Sequence, residues 1–419
     1  MENKNKVLKF PKNFLWGAAI SAHQVEGGNK NDWTVWEKKN AERLAKEAER
    51  KWEKWQQKKF PEMFDPGNYI SGRAADHYNR YEEDFDIAKS LNFNAFRISI
   101  EWSRIEPEEG KFNEKEIEHY RKVIKAIRAR GMEPFVTLWH WTNPVWFDKK
   151  GGWVSKSSAF YFIRYVQKIV ESLGNDVNFW LVINEPNVHT GFGYLLGSQP
   201  PGKKNIVAFL KAYFNLLNSY KKSYTVIHRI NPESKVSFSH SAVFFQVDIW
   251  KPINRLLASL LSFFSNYFVK KTTKFLDFIG YNYYIRIIIT FKGRNIPDRE
   301  KTDLGWEIFP KGIYHVLKKL HKYNLPIYIT ENGIADATDK HREKFIKEHL
   351  FWVHNAIRDG VDVKGYLHWS FLDNFEAPEA RGFWPRFGLV EIDYKTMRRK
   401  VRPSAREYAK ICKGNSLEV

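Results

Sequence analysis

Two glutamates occupy nearly matching contexts far apart in the chain. Phe179-Trp180-Leu181-Val182-Ile183 runs into Asn184-Glu185-Pro186-Asn187, and Pro326-Ile327-Tyr328-Ile329-Thr330 runs into Glu331-Asn332-Gly333. Each is an apolar, β-prone stretch that stops at a carboxylate and is followed by a turn-forming Pro or Gly. An acidic group beside a buried strand end is costly unless something compensates it. Two such carboxylates facing each other across a pocket suit glycoside hydrolysis. One protonates the leaving oxygen while the other attacks the anomeric carbon or activates water. A separation of about 5–5.5 Å gives retention and about 6.5–9.5 Å gives inversion. The competing reading is structural, with each glutamate held in a buried ion pair by a nearby arginine.

Further polar and aromatic residues follow other apolar runs. Gln24 and Glu26 come after the first, His140 and Trp141 after the third, Asn282 and Tyr284 after the sixth, and Trp369 after the eighth. Gln, His, Asn and Glu give and accept hydrogen bonds with vicinal hydroxyls, and an indole offers a flat apolar platform for a sugar face.

These residues need elements that bring them together. Eight short runs rich in β-branched and aromatic residues are predicted as strands, near 15–18, 95–100, 134–138, 179–183, 235–239, 278–281, 327–330 and 365–368. Amphipathic segments such as 81–91, 114–130 and 159–173 alternate with them, the last ending at Gly174 as a helix stop. Eight strand–helix alternations without a Pro-rich or Gly/Ser-rich linker predict one (β/α)8 barrel domain over 1–419, an α/β fold. In that fold, functional residues sit at the C-terminal face of the strands, where both glutamates fall. A Lys/Glu/Arg-rich run at 37–59 breaks the rhythm and predicts a charged helical insertion near 37–60, read as a solvated excursion rather than a lid or an oligomer contact.

Composition narrows the classes further. Among 419 residues are 16 Trp, 20 Tyr and 32 Phe, enough to fill a large core and still line a cleft. The net charge is +20, but the 68 basic residues are spread along the chain and form no basic arm, so no nucleic-acid partner is expected. The apolar-rich stretch 256–268 is too short to span a bilayer and is broken by Ser and Asn, which reads as a packed helix and no membrane partner. Cys412 stands alone and cannot form an internal disulfide, and the N-terminal residues lack the apolar core of a signal peptide. Both point to the cytoplasm. The histidines show no metal-type pairing, so no metal and no cofactor are expected. The motifs carry no sign of oligomeric state.

The chain resembles glycoside hydrolase family 1, the β-glucosidase and β-galactosidase family. The motifs run in order: Phe14-Leu15-Trp16-Gly17, Gln24-Val25-Glu26-Gly27, Phe96-Arg97-Ile98-Ser99, Trp102-Ser103-Arg104, Asn184-Glu185-Pro186, Asn282-Tyr283-Tyr284, Thr330-Glu331-Asn332-Gly333, Asp373-Asn374-Phe375-Glu376 and Arg386-Phe387-Gly388-Leu389. The resemblance implies a retaining β-glycosidase with Glu185 as acid/base and Glu331 as nucleophile. It implies that Arg97 and Tyr284 sit beside Glu331 and keep it ionised, with Asn282 supporting the pair. It assigns the glycone hydroxyls to Gln24, His140, Asn184 and Glu376, with Trp141 nearby, Trp369 beneath the ring and Trp306 on the aglycone side. One departure stands out. The family usually has Trp directly after the last glutamate, whereas here Glu376 is followed by Ala377-Pro378-Glu379-Ala380-Arg381. Recognition of the outer glycone hydroxyls is therefore altered, with Trp384 as the candidate to fill the gap. Three alternatives stay open: a silent carbohydrate-binding protein on the same fold, a basic surface-binding protein, and a 6-phospho-β-glycosidase. Glu376 argues against the last by repelling phosphate.

Overall fold

A computed structural model describes residues 7–247, 252–290, 293–294 and 300–419. Eight strands close into an all-parallel barrel: β1 (Leu15–Ala19), β2 (Ala95–Ser99), β3 (Glu133–Trp139), β4 (Phe179–Asn184), β5 (Lys235–Ser241), β6 (Ile279–Tyr283), β7 (Ile327–Asn332) and β8 (Val363–Trp369). Each pairs with its sequence neighbour, and β8 closes on β1 through Gly365 to Trp369 against Leu15 to Ala19. Their near-continuous apolar runs follow from burial on both faces, as parallel strands between a core and a helical shell require. All eight predicted strands are present.

The predicted strands nevertheless stop too early at the functional end. Asn184, Asn282, Tyr283, Glu331 and Asn332 all belong to strands, and Glu331 pairs with Asn282 across β7 and β6. Polar side chains in these positions do not end the ladder, because the backbone keeps its hydrogen bonds whatever the side chain is. The register between β7 and β6 slips between Ile329 and Glu331, an irregularity of the kind that re-aims side chains near active sites. Gly333 follows because the chain runs against β8. A Cβ there would lie 1.6 Å from the Trp369 carbonyl oxygen, so close approach rather than a turn requires the glycine.

Outer helices follow the predicted periodicity. In Glu114–Ala129, Ile117, Tyr120, Val123, Ile124 and Ile127 form the buried stripe, and the Asn113 side chain caps the start by accepting from Lys115 N–H at 3.1 Å. Ser158–Leu173 ends at Gly174 as expected. The charged run forms two helices, Asp32–Lys51 and Lys54–Lys59, separated by Trp52 in an extended conformation. It begins earlier than predicted because Asn31 and Thr34 form a reciprocal capping box. It is also solvated on one side only: Trp33, Ala41, Leu44, Ala45 and Ala48 are buried. The stretch 256–268 lies within the helix Pro252–Thr272, and among the described residues no helix is long and apolar enough to cross a membrane.

Candidate active site

The C-terminal ends of the strands surround a cavity of about 280 Å³ lined by Glu185, Glu331, Glu376, Trp369, Tyr284 and Arg381 among others. A larger cavity of about 780 Å³ lies between the strand Phe244–Val247 and the helices Pro252–Thr272 and Lys311–Leu320, and no carboxylate is among its described lining residues. The smaller one therefore holds the paired carboxylates that glycoside hydrolysis needs.

Glu331 is fixed from two sides. Arg97, on β2 and fully buried, donates from Nη1 to Glu331 Oε1 at 2.6 Å and to the Thr330 carbonyl at 3.1 Å. Its Nε donates to Thr137 Oγ1 at 3.0 Å and its Nη2 to Asn184 Oδ1 at 2.7 Å, so one guanidinium ties β2 to β3, β4 and β7. The Tyr284 hydroxyl donates to the other oxygen, Glu331 Oε2, at 2.7 Å. Glu185 has a leaner environment. Asn282 Nδ2 donates to its Oε1 at 2.8 Å, the Asn282 orientation being fixed by a 2.6 Å bond from Thr330 Oγ1 to Asn282 Oδ1. Glu185 and Glu331 line the same cavity, close enough for the charge of one to act on the other.

The same environment sets the protonation of the pair. Burial pushes the Glu185 carboxyl up to about 8, and the neighbouring Glu331 charge adds to the rise, against the pull of Asn282 and Arg97. Burial raises Glu331 as well, opposed by Arg97 and the Tyr284 hydroxyl. Arg97 and Tyr284 thus both favour the ionised form of Glu331, as expected of them, while burial acts the other way. Their positions still divide the roles. A shared proton rests on Glu185, the member without a cation on its oxygens.

Glu185 adopts φ 42° and Trp141 φ 77°, both in the left-handed region that disfavours side chains. Such conformations cluster at functional sites, where the surroundings over-determine them. Trp141 donates from Nε1 to the Asn184 carbonyl at 2.9 Å. Asn184 gives its Oδ1 to Arg97, which turns its Nδ2 toward His140 Nε2 at 3.2 Å. His140 Nε2 therefore accepts, its proton sits on Nδ1, and Nδ1 is buried without a protein partner. Burial and the Arg97 charge hold the His140 pKa well below the usual value, so it is a neutral donor facing the cavity. Its ring lies nearly parallel to Trp369, with centroids 5.9 Å apart.

Of the remaining predicted residues, Gln24 reaches the cavity but is already engaged. Its Oε1 accepts from Ser21 Oγ at 2.6 Å and its Nε2 donates to the Phe375 carbonyl at 2.8 Å, bracing the loop after β8. Glu26 turns away from the cavity to Arg104 and the Tyr120 hydroxyl. Glu376 lines the cavity with Oε2 unpartnered, its carboxyl pushed up to about 8 by burial despite the opposing Arg381 charge. Trp306 lines it too, half-buried beside Tyr284 and Phe387. Trp384 does not fill the gap after Glu376. It packs against Trp52 and Phe60 at 5.0 Å from each, and its position is decided by the helical insertion. Sequence reasoning passed over Thr137 and Thr330, whose hydroxyls orient Arg97 and Asn282. Their signal was a hydroxyl within an otherwise apolar strand. Among the described residues, no group of three or more His, Cys, Asp or Glu side chains is arranged to hold a metal ion.

Comparison with known proteins gives the same direction. The chain is 32% identical to β-glucosidase A of Thermotoga maritima over 98% of this chain and 99% of that one. It superposes on a β-glycosidase from Pyrococcus horikoshii with a TM-score of 0.87 at 36% identity, covering 99% of this chain and 97% of the other. A β-glucosidase from Thermotoga maritima in complex with glucoimidazole gives a TM-score of 0.85 at 30% identity, over 97% and 99%. The model of glycosyl hydrolase family 1 matches residues 6–248 and 258–417. With the barrel, the paired carboxylates and these matches in agreement along its length, the chain belongs to glycosyl hydrolase family 1.

Proposed function

We propose that the protein is a retaining β-glycosidase acting on neutral β-glucoside- or β-galactoside-type substrates, with Glu331 as nucleophile and Glu185 as acid/base. The whole chain forms one catalytic domain in this reading. The observation that carries it is the unequal support of two carboxylates that line one cavity: Arg97 and Tyr284 on Glu331, Asn282 on Glu185.

In the first step, a Glu331 oxygen attacks the anomeric carbon as the bond to the aglycone breaks. Glu185 gives its proton to the departing oxygen. As Glu331 becomes an ester its charge disappears, which removes the like charge that raised Glu185. Glu185 then takes a proton from water, the water oxygen attacks the anomeric carbon, and the Glu331 ester is released. Trp369 would underlie the ring, while His140 Nδ1, Asn184, Gln24 and Glu376 meet hydroxyls. Trp141 anchors Asn184 from behind, and Trp306 flanks the aglycone side. A reducing cytoplasm suits a chain whose single cysteine, Cys412, is buried.

The test is hydrolysis of aryl β-glucoside, galactoside, mannoside and fucoside by the wild type, Glu331→Ala and Glu185→Ala. The expected result is turnover that disappears in Glu331→Ala and returns with azide as the α-glycosyl azide. A wild type that cleaves none of these across pH and temperature overturns the reading in favour of a binding protein on the same fold.

A further inference from the structure

Beside Glu376, the loop after β8 delivers a second polar group to the cavity. Arg381 is 4% exposed and lines the cavity wall. Its Nη2 donates to Glu379 Oε2 at 2.7 Å, and its guanidinium carbon lies 5.0 Å from the Trp306 ring centre. Its Nη1 stands 3.7 Å from Glu376 Oε1, too far for a hydrogen bond. Nη1 and Nε of Arg381 are both buried without a partner, and so is Oε2 of Glu376. Native interiors rarely leave such groups unmatched, and three neighbouring ones mark a place where another molecule completes the set.

The loop that carries Arg381 is held rather than loose. Asn68 Nδ2 donates to the Arg381 carbonyl at 3.1 Å, Lys51 Nζ to the Glu379 carbonyl at 3.0 Å, and Glu379 N–H to Gln199 Oε1 at 3.3 Å. Glu379 and Ala380 take φ of 53° and 50°, two consecutive left-handed residues without glycine. The charged insertion and the segment before the helix Ile206–Ile230 thus fix Arg381 where its free N–H groups border the cavity.

We propose that Arg381 is a specificity-determining ligand for adjacent hydroxyls of a neutral glycone. Glu376 accepts from one hydroxyl while Nη1 or Nε of Arg381 donates to the next oxygen. A free donor beside a free acceptor is complementary to groups that both give and take hydrogen bonds, which vicinal hydroxyls do. Phosphate or carboxylate is a poorer complement. The Arg381 charge is already matched by Glu379, and an added anion would meet Glu331 with no spare cation among the described lining residues. This inference rests on the glycosidase reading.

The test compares wild type with Arg381→Met, which keeps an apolar stem against Trp306 but has no donors, and with Arg381→Lys, which keeps the charge. Substrates are 4-nitrophenyl β-glucoside, its 3-, 4- and 6-deoxy analogues, the 6-phosphoglucoside and the glucuronide. In Arg381→Met, kcat/KM for the glucoside should fall about 10–100-fold, as expected on losing a charged hydrogen-bond donor. For the deoxy analogue that lacks the contacted oxygen, wild type and variant should agree within about twofold, and Arg381→Lys should recover part of the loss. The comparison among sugars is internal to each variant, so a general loss of folded protein does not mimic it. An equal fall for every sugar, or no fall for any, overturns the proposal and leaves the glycosidase reading intact. So does a wild type that prefers the 6-phosphoglucoside or glucuronide. A wild type inactive on the whole set overturns both.

Discussion

The two ends of the same eight strands are built to opposite rules. At the N-terminal end, Phe135, Phe179, Phe278 and Tyr328 pack ring against ring with centroids 4.3–6.3 Å apart, in one cluster with Leu15, Leu181 and Leu367. Three to six residues further along the chain from those rings stand His140, Glu185, Asn282 and Glu331. There burial works against the carboxyls, two residues take left-handed conformations, and polar atoms are left without partners. The lower end contributes stability and no chemistry. The upper end holds chemistry that the lower end must support, the usual division in this fold.

The sharpest way to break this comparison is to exchange effects between the ends. Glu331→Gln should reduce turnover by roughly 10⁴-fold or more while leaving a cooperative thermal transition, since it removes a reacting group. Phe135→Ala should do the reverse. It should lose about 3–5 kcal/mol of stability by opening a cavity in the aromatic plug, with kcat/KM little changed well below the melting temperature. If Phe135→Ala abolished activity at low temperature while still folded, the two ends would not be separable.

A pH series sharpens the point. Glu185 must be protonated to act as acid, so kcat/KM for glycosides with poor leaving groups should fall as pH rises through about 8, and less so for activated aryl substrates. The stability effect has a definite sign. A carboxyl whose pKa rises on folding contributes stability below its unfolded value, and that contribution is lost as pH climbs through the folded value. Glu185→Gln should therefore melt higher than wild type at pH 8–9, by about 2–5 °C, with the gap shrinking toward pH 5. A gap that widened on acidification would reverse the assignment of the raised group. The smallest effect is expected from Asn68→Ala. It frees the Phe383 and Trp384 N–H groups from Asn68 Oδ1, bonds of 2.9 and 3.0 Å. About 1–3 kcal/mol of stability should be lost, with the sugar preference loosened severalfold, as melting and the aryl glycoside panel would report.

Much of this was legible in residue order. The eight strands were readable because apolar runs recur at the spacing of βα units, and the paired glutamates because each interrupts such a run. The same habit of reading truncated β4, β6 and β7, since a polar residue looked like an end although the backbone ladder continues through Asn184, Asn282 and Glu331. Trp384 was expected in the cavity on proximity to Glu376, yet Trp52 and Phe60 compete for it from more than 300 positions away. The run at 37–59 looked solvated because charge dominates its composition, while small residues on its inner face bury the contacts that brace the loop after β8.

By itself the sequence determined the barrel, the strand ends that carry Glu185 and Glu331, and the aromatic supply for the core. These depend on periodicity and on the cost of burying charge, which are local properties of the chain. Tertiary structure alone decided that the Asn282 amide holds Glu185, that Arg97 binds four strands together, and that Arg381 rather than Trp384 borders the cavity beside Glu376. Each of those depends on which distant groups compete for the same few ångströms, and the winner is set by packing across the whole barrel.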